Sequence, residues 1–228
     1  MRLQFLGSGD AFGSGGRFNT CILVESETGA FLIDCGASSL IAMRKYGIDP
    51  NRVDTVFISH LHGDHFGGLP FLILDAQFYS RRTRPLTLVG PRGFRDRLMQ
   101  VMELLFPGSS RVERRFATEI HEIDAAETAV INGITVTAYL VEHACGAPPF
   151  ALRFVCDGKV FAYRMDGELA GSRVPCGSAD RRSAVLRAPG EIPLGLRQPE
   201  GKPGADRRQT CDPDAHGTRD AVAYRRCA

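Results

Sequence analysis

The sequence lacks several features that would each have fixed a function class. Its formal net charge is only +2 over 228 residues, so electrostatics make no demand for nucleic acid or an anionic membrane, and no DNA-binding motif stands out. No window stays apolar for the roughly 18 residues that a membrane span needs. The start, MRLQFLGSGDAFGSGG, reaches glycine and aspartate too early for a secretory leader, which makes the cytoplasm the expected compartment. The seven cysteines are odd in number and show no repeated close spacing, against a disulfide framework or a zinc ribbon. Cys21, Cys35 and Cys156 sit in strand-like apolar runs and are expected to be buried, inert thiols. There is no Gly-x-Ser-x-Gly elbow, and no cysteine pairs with histidine in a way that suggests covalent catalysis. The stretch GSGDAFGSGG follows a strand pattern but leads into another strand, RFNTCILVE, rather than a helix. It reads as a flexible loop beside a site, not as a dinucleotide cradle.

What is present divides the chain at about Tyr163. Before that point LQFLG, CILVES and AFLIDCG read as short strands separated by glycine-rich turns. SLIAMRKYG has helical spacing and ends on Gly47, and TVFISH is an apolar β-branched strand. LPFLILDAQFYSRR reads as a helix and LTLVGP as a strand. RGFRDRLMQVMELLF sets Phe94, Leu98, Val101 and Leu105 on one face of an amphipathic helix. RFATEIHEI, AVINGITVTAYLVEH and FALRFVCDGKVFAY follow as strands, the last turning at Asp157-Gly158. Strands mixed with helices in this way predict an α/β sandwich over residues 1–163.

Residues 164–228 change in character. They contain eleven arginines, one lysine, one isoleucine and no phenylalanine. Proline, glycine and alanine punctuate them throughout, so they offer too little apolar surface to offset the entropy of ordering. Two readings fit this low-complexity tail: a disordered basic segment, or a GC-rich gene read out of frame after the strand KVFAY.

Chemistry concentrates in SHLHGDHFGGLP, Ser59 to Pro70, which holds three of the chain's six histidines. Zinc takes neutral imidazole nitrogens and carboxylate oxygens at about 2.0 to 2.2 Å. A tight turn after a strand lets His60 and His62 share one metal, while Asp64 and His65, further round, can hold a second. Gly63 is expected to permit the turn, and Gly67 and Gly68 to let the backbone come close before a helix begins.

His60-Leu61-His62-Gly63-Asp64-His65 resembles the HxHxDH signature of the metallo-β-lactamase-fold hydrolases. FLGSGDAFGSGGRFNTC, LIDCG and FISHLHGDHFGGLP are most similar to the ribonuclease Z-like branch of that family, and the likeness covers residues 1–163. It implies an αββα sandwich, incomplete here at the C-terminus, with a dinuclear zinc site at one edge of the sheets. His60, His62 and a later histidine would hold the first metal; Asp64, His65 and a last histidine the second, with a further aspartate bridging both. His143, between ITVTAYLVEH and the loop ACGAPP, has the setting of the third ligand. His121, mid-strand among acidic residues, is expected at the surface. The family follows FAY with Ser-Gly-Asp-Thr, where this chain has FAYRMDGEL; Asp166 lies at the matching distance from Tyr163 and is the candidate bridge. His216, with no strand before it, does not fit the last ligand. The chain is therefore expected to bind one zinc better than two, and manganese or iron would suit the same donors.

The resemblance also implies the reaction: hydrolysis of a phosphodiester, with Asp64 orienting the attacking water and taking up its proton. The substrate would be a small phosphodiester or an RNA, such as the 3′ end of a precursor tRNA, although residues 66–142 hold no long inserted arm to clasp one. Arg81, Arg82 and Arg84 in YSRRTRP could meet phosphates or could merely close a helix against its dipole; Arg111, Arg114 and Arg115 pose the same choice. Two alternatives remain: an impaired family member with a defective second metal site, and a hydrolase of another ester, thioester or lactam. No oligomeric state follows from the sequence.

Overall fold

A computed structural model describes residues 1–164 together with the backbone of 183–186. Six strands form the first sheet in sequence order: β1 (Arg2–Gly7), β2 (Cys21–Ser26), β3 (Gly29–Ile33), β4 (Val53–Phe57), β5 (Leu86–Pro91) and β6 (Thr118–Ile123). The first three are antiparallel, and β3 through β6 run parallel. Parallel neighbours need crossovers. These are made by α1 (Ser39–Lys45), by α2 (Gly63–Phe66) with α3 (Leu69–Leu74), and by α4 (Phe94–Leu105).

The second sheet has the order β11-β10-β9-β8-β7, from β7 (Thr128–Ile131), β8 (Ile134–Leu140), β9 (Phe150–Cys156), β10 (Lys159–Tyr163) and β11 (Ser183–Leu186). Its β7–β10 pairs are antiparallel hairpin neighbours, whereas β11 joins β10 in parallel. The strand Ser183–Leu186 falls inside the stretch read as lacking regular structure. Asp157 and Gly158 both adopt positive φ, 51° and 65°, the pair of values a two-residue type I′ turn requires.

Burial explains the layers. On one face of the first sheet Leu23, Leu32, Val56 and Leu88 pack against Met43, Leu72, Leu98 and Met102 from the helices. On the other face Ile22, Val24, Phe31, Ile33 and Phe57 meet Val136, Leu152, Phe154 and Phe161 of the second sheet. Strands β2 to β4 are therefore apolar on both faces, as sandwiched strands must be. Between the sheets Phe154 sits 5.2 Å from Phe57, edge to face, and 5.1 Å from Phe161, stacked. The helices, both sheets and this double core make the αββ part of the expected sandwich; among the described residues no helix covers the outer face of the second sheet. No described helix is long and apolar enough to cross a membrane.

Two expectations shift in detail. The expected helix in LPFLILDAQFYSRR is α-helical only over Leu69–Leu74 and continues as a π-helical turn, Asp75–Tyr79. In α4 the buried residues are Phe94, Leu98 and Met102, a stripe at every fourth position, whereas Leu105 is 45% exposed. Val101 packs against the core and also lines a cavity, whereas Leu105 borders that cavity without joining the core.

Candidate metal centre

The cavity lies where β4 gives way to α2, and its volume is about 890 Å³. Each histidine arrives there for a traceable reason. β4 delivers Ser59 and His60 fully buried, and α2 starts directly after His62. The backbone of this segment lies against the end of β3: Cys35 N–H donates to His65 C=O at 2.6 Å and Gly68 N–H to Cys35 C=O at 2.8 Å. A side chain at Gly36 would meet the Asp64 carbonyl oxygen at 2.1 Å, and one at Gly68 would meet that of Gly36 at 2.2 Å. Glycine is demanded at both places. Gly63 plays a different part from the one expected. Its φ is not in the left-handed region and a Cβ there would meet nothing within 4 Å, so the turn does not need it; its bare Cα borders the cavity.

His143 comes from the second sheet. The loop between β8 and β9 is closed by Val141 N–H donating to Pro149 C=O at 3.1 Å, and it is pinned to the first sheet by Phe150 N–H donating to Ser59 C=O at 2.9 Å. This brings the His143 ring 4.9 Å from that of His60 and 4.8 Å from that of His62. One ligand atom from each of His60, His62 and His143 lies within 4.8 Å of the other two. His143 Nε2 and His62 Nδ1 are 3.0 Å apart.

A single buried carboxylate organises the cluster. Asp34 ends β3 with φ 58°, a left-handed conformation that aspartate tolerates better than most residues. Its Oδ1 accepts the Ser59 N–H at 2.8 Å, and its Oδ2 accepts the Ser59 hydroxyl at 2.9 Å and His65 Nδ1–H at 2.7 Å. Because Ser59 spends its proton on Asp34, its Oγ accepts from His60 Nδ1, 3.1 Å away. The proton partners thus assign Nδ1–H to both imidazoles and turn both Nε2 atoms toward the cavity, the arrangement by which carboxylates orient metal-bound histidines. His60 Nε2 is fully buried and, among the described residues, has no hydrogen-bond partner. A buried lone pair without a donor carries a desolvation cost, and a cation there would remove it; the three imidazoles fit a metal by this test.

Burial pulls the His60 pKa down to about 3, helped by the neighbouring His65. Burial acts on His65 in the same direction, but the charge and hydrogen bond of Asp34, with Asp64 beyond, outweigh it and lift His65 to about 10. Asp64 Oδ2 lies 3.4 Å from His65 Nε2. Burial opposes ionisation of Asp64, yet its partnership with His65 holds the carboxyl below its ordinary value.

Asp166 and His216 lie outside the described residues. His121 sits on β6 with its side chain 48% exposed, 3.9 Å from Glu119. Burial pushes the Cys21 thiol up to about 12 and that of Cys35 well above its ordinary value, so neither is a thiolate nucleophile at neutral pH. Four of the six arginines considered for phosphate binding are engaged elsewhere. Arg82 is 2% exposed and donates to the carbonyls of Arg84, Pro85 and Asn51. Arg84 pairs with Asp54, Arg114 donates to Ser109 C=O, and Arg111 lies 4.0 Å from Glu103. The residues missed from sequence are Asp34 and Ser59. The available signal was an acidic residue closing the otherwise apolar run AFLIDCG.

Comparison with known proteins gives a consistent setting. A family described as anti-Pycsar protein Apyc1 matches residues 1–175. Zinc phosphodiesterase ELAC protein 1 of Mus musculus is 34% identical over 126 residues, 54% of this chain and 33% of that protein. Ribonuclease Z of Lachnoclostridium phytofermentans is 32% identical over 129 residues, 56% of this chain and 40% of its own length. The chain therefore spans well under half of these curated relatives. Among solved structures, the short form of human tRNase Z superposes with a TM-score of 0.57 at 24% identity, covering 75% of this chain and 71% of that one. The metallo-beta-lactamase fold protein YhfI from Bacillus subtilis gives 0.55 at 19% identity, covering 71% and 61%. The fold is thus that of the metallo-β-lactamases.

Proposed function

The chain belongs to the family of the anti-Pycsar protein Apyc1, and from that premise we propose that it is a metal-dependent phosphodiester hydrolase of the ribonuclease Z-like kind, placed in the cytoplasm. The observation that carries the reading is the convergence of His60, His62 and His143 around a buried, unpartnered His60 Nε2. Zinc is the proposed ion, for three nitrogen donors suit it and a relative named zinc phosphodiesterase is 34% identical over 126 residues of the chain. Bound there, it would supply Lewis acidity and bring the pKa of a coordinated water down to about 7.

The chain's own residues do the rest. His60, His62 and His143 hold the ion, with His60 kept in one tautomer through Ser59 and Asp34. Asp64, ionised and bordering the cavity, orients the attacking water and accepts its proton. Asp64 and His65 begin a second site, for which Asp166, within the matched family span, is the proposed bridging ligand. A small phosphodiester fits this reading better than a precursor tRNA. The segment from 66 to 142 is taken up by α3, β5, α4, β6, β7 and β8, and four of the six arginines considered for phosphate binding, Arg82, Arg84, Arg111 and Arg114, are engaged in ion pairs or carbonyl contacts.

The test is zinc content together with turnover of bis(p-nitrophenyl) phosphate by the full chain and by His60→Ala. Zinc-dependent turnover that the substitution abolishes is the expected result; turnover that survives it would refute the assignment. A second reading, an impaired member with one working metal site, is favoured by the missing third protein ligand around Asp64 and His65 among the described residues. Bound zinc without turnover would support it. The proposal that residues 164–228 are read out of frame is tested by sequencing the gene across the codons after Tyr163.

A further inference from the structure

The hydrolase reading leaves part of the cavity wall without a task. Phe12 is 91% exposed, yet it borders the same cavity as the three imidazoles. Phe71, Val101 and Leu105 line that cavity as well, and no lysine or arginine does so among the described residues. A polyanionic chain threaded here would meet Asp10 and Asp64 and no lysine or arginine; a flat uncharged ring would meet apolar surface.

The wall is also held in place. Asp10 Oδ1 accepts the N–H of Phe12 at 3.0 Å and of Ser14 at 3.1 Å, fixing the loop from its first residue. Asn19 Nδ2 donates to the Asp10 carbonyl at 2.8 Å, while Asn19 Oδ1 accepts the Ser38 hydroxyl and N–H. The backbone of Phe12 is thereby tied to the start of α1. Phe71 is braced edge to face against Phe106, with ring centroids 5.4 Å apart. A surface ordered before the ligand arrives loses less entropy on binding.

We infer that Phe12 determines specificity. Its ring stacks on an aromatic group carried next to the substrate's phosphodiester, and Phe71, Val101 and Leu105 complete the apolar surface. This rests on the reading of the site as a phosphodiester-hydrolysing metal centre.

The experiment is calorimetric titration of the zinc-loaded full chain with phenylphosphonate and with methylphosphonate, read as the ratio of the two affinities. Wild type should prefer the phenyl compound by about tenfold, the scale of one aromatic contact with its apolar burial. Phe12→Ala should bring the ratio close to one, and Phe12→Tyr should restore it. Binding of both compounds with no phenyl preference in wild type, or an unchanged ratio in Phe12→Ala, overturns the assignment of Phe12 and leaves the metal centre standing. Loss of zinc by Phe12→Ala makes the residue structural and overturns the assignment too. Failure of wild type to bind either phosphonate overturns both this inference and the reading beneath it.

Discussion

Replacing Asp34 by asparagine keeps the shape of the side chain and removes its charge, so it tests whether this carboxylate organises the metal centre. Asp34 accepts three hydrogen bonds in a fully buried setting, two of them on Oδ2. An asparagine has one oxygen. If its amide nitrogen takes the Oδ2 place it faces the Ser59 hydroxyl and His65 Nδ1–H; if it takes the Oδ1 place it faces the Ser59 N–H. Either way at least one buried donor loses its acceptor, which costs about 1 to 3 kcal/mol. His65 also loses the charge that lifts it to about 10, and His60 loses the proton path through Ser59 that fixes its tautomer. Loss of such an outer partner lowers metal affinity by about 10- to 100-fold. The pH dependence has a definite sign. A histidine raised from 6.5 to about 10 in the folded state contributes stability that is full below pH 6.5 and fades as pH climbs toward 10. Zinc affinity by chelator competition, and urea unfolding of the metal-free protein at pH 6 and pH 9, measure both effects. Wild type should lose stability from pH 6 to pH 9, and Asp34→Asn should be weaker at pH 6 and flatter between the two. Equal zinc affinity with an unchanged pH slope would refute the reasoning.

The remaining predictions concern neighbouring residues. His60, depressed to about 3, contributes stability that is present above pH 6.5 and lost as pH falls toward 3; with His65 acting in the opposite sense, unfolding midpoints of the metal-free protein should peak near pH 6.5, and a monotonic trend would contradict this. Metal analysis should find one tightly held zinc per chain, because a metal on His65 Nε2 must displace a proton held to about pH 10; two equally tight equivalents would be inconsistent with it. His143→Ala should remove that zinc and the turnover of bis(p-nitrophenyl) phosphate with it, while His121→Ala, altering an exposed side chain on β6, should change neither. Arg82→Ala should cost about 1.5 to 3 kcal/mol in urea unfolding, as expected for loss of charged hydrogen bonds, with no change in KM; a raised KM at unchanged stability would return this arginine to the phosphate.

The proposed ligands His60, His62, Asp64 and His65 were legible because they are local: a strand, a turn and a short helix present them within six positions. The hairpin at Asp157-Gly158 and the helix stop at Gly47 were legible for the same reason, since each turn is fixed by its own φ angles, 51°, 65° and 67°. Asp34 was not, because its partner Ser59 is 25 residues away and meets it only when β3 and β4 pair in parallel. Periodicity does not show which strand ends will be neighbours. For Arg82 the sequence left two roles open, a phosphate contact or the closing of a helix; the fold buries this side chain with Asp54 and three carbonyls as its partners, which periodicity does not show either. In α4 the apolar positions outnumbered the core stripe: Val101 packs against the core as expected while also lining the cavity, but Leu105, counted inward, borders the cavity alone.

The two halves of the proposed centre differ in how they are supported, and on that reading this would set the order in which they fill. The first half needs only the β4–α2 segment and the β8–β9 loop, joined by the Phe150 to Ser59 backbone bond. Every one of its donors lies within the described residues, and His60 is already neutral. The second half has Asp64 and, beside it, His65, which Asp34 orients but which still holds a proton. A metal entering the first half displaces nothing from His60 and satisfies an orphaned nitrogen. One entering the second must expel a proton from a carboxylate-bound imidazole and recruit a further ligand. On the proposed reading, filling would proceed from the three imidazoles outward, and a chain holding its first ion would already have an ionised Asp64 bordering the cavity.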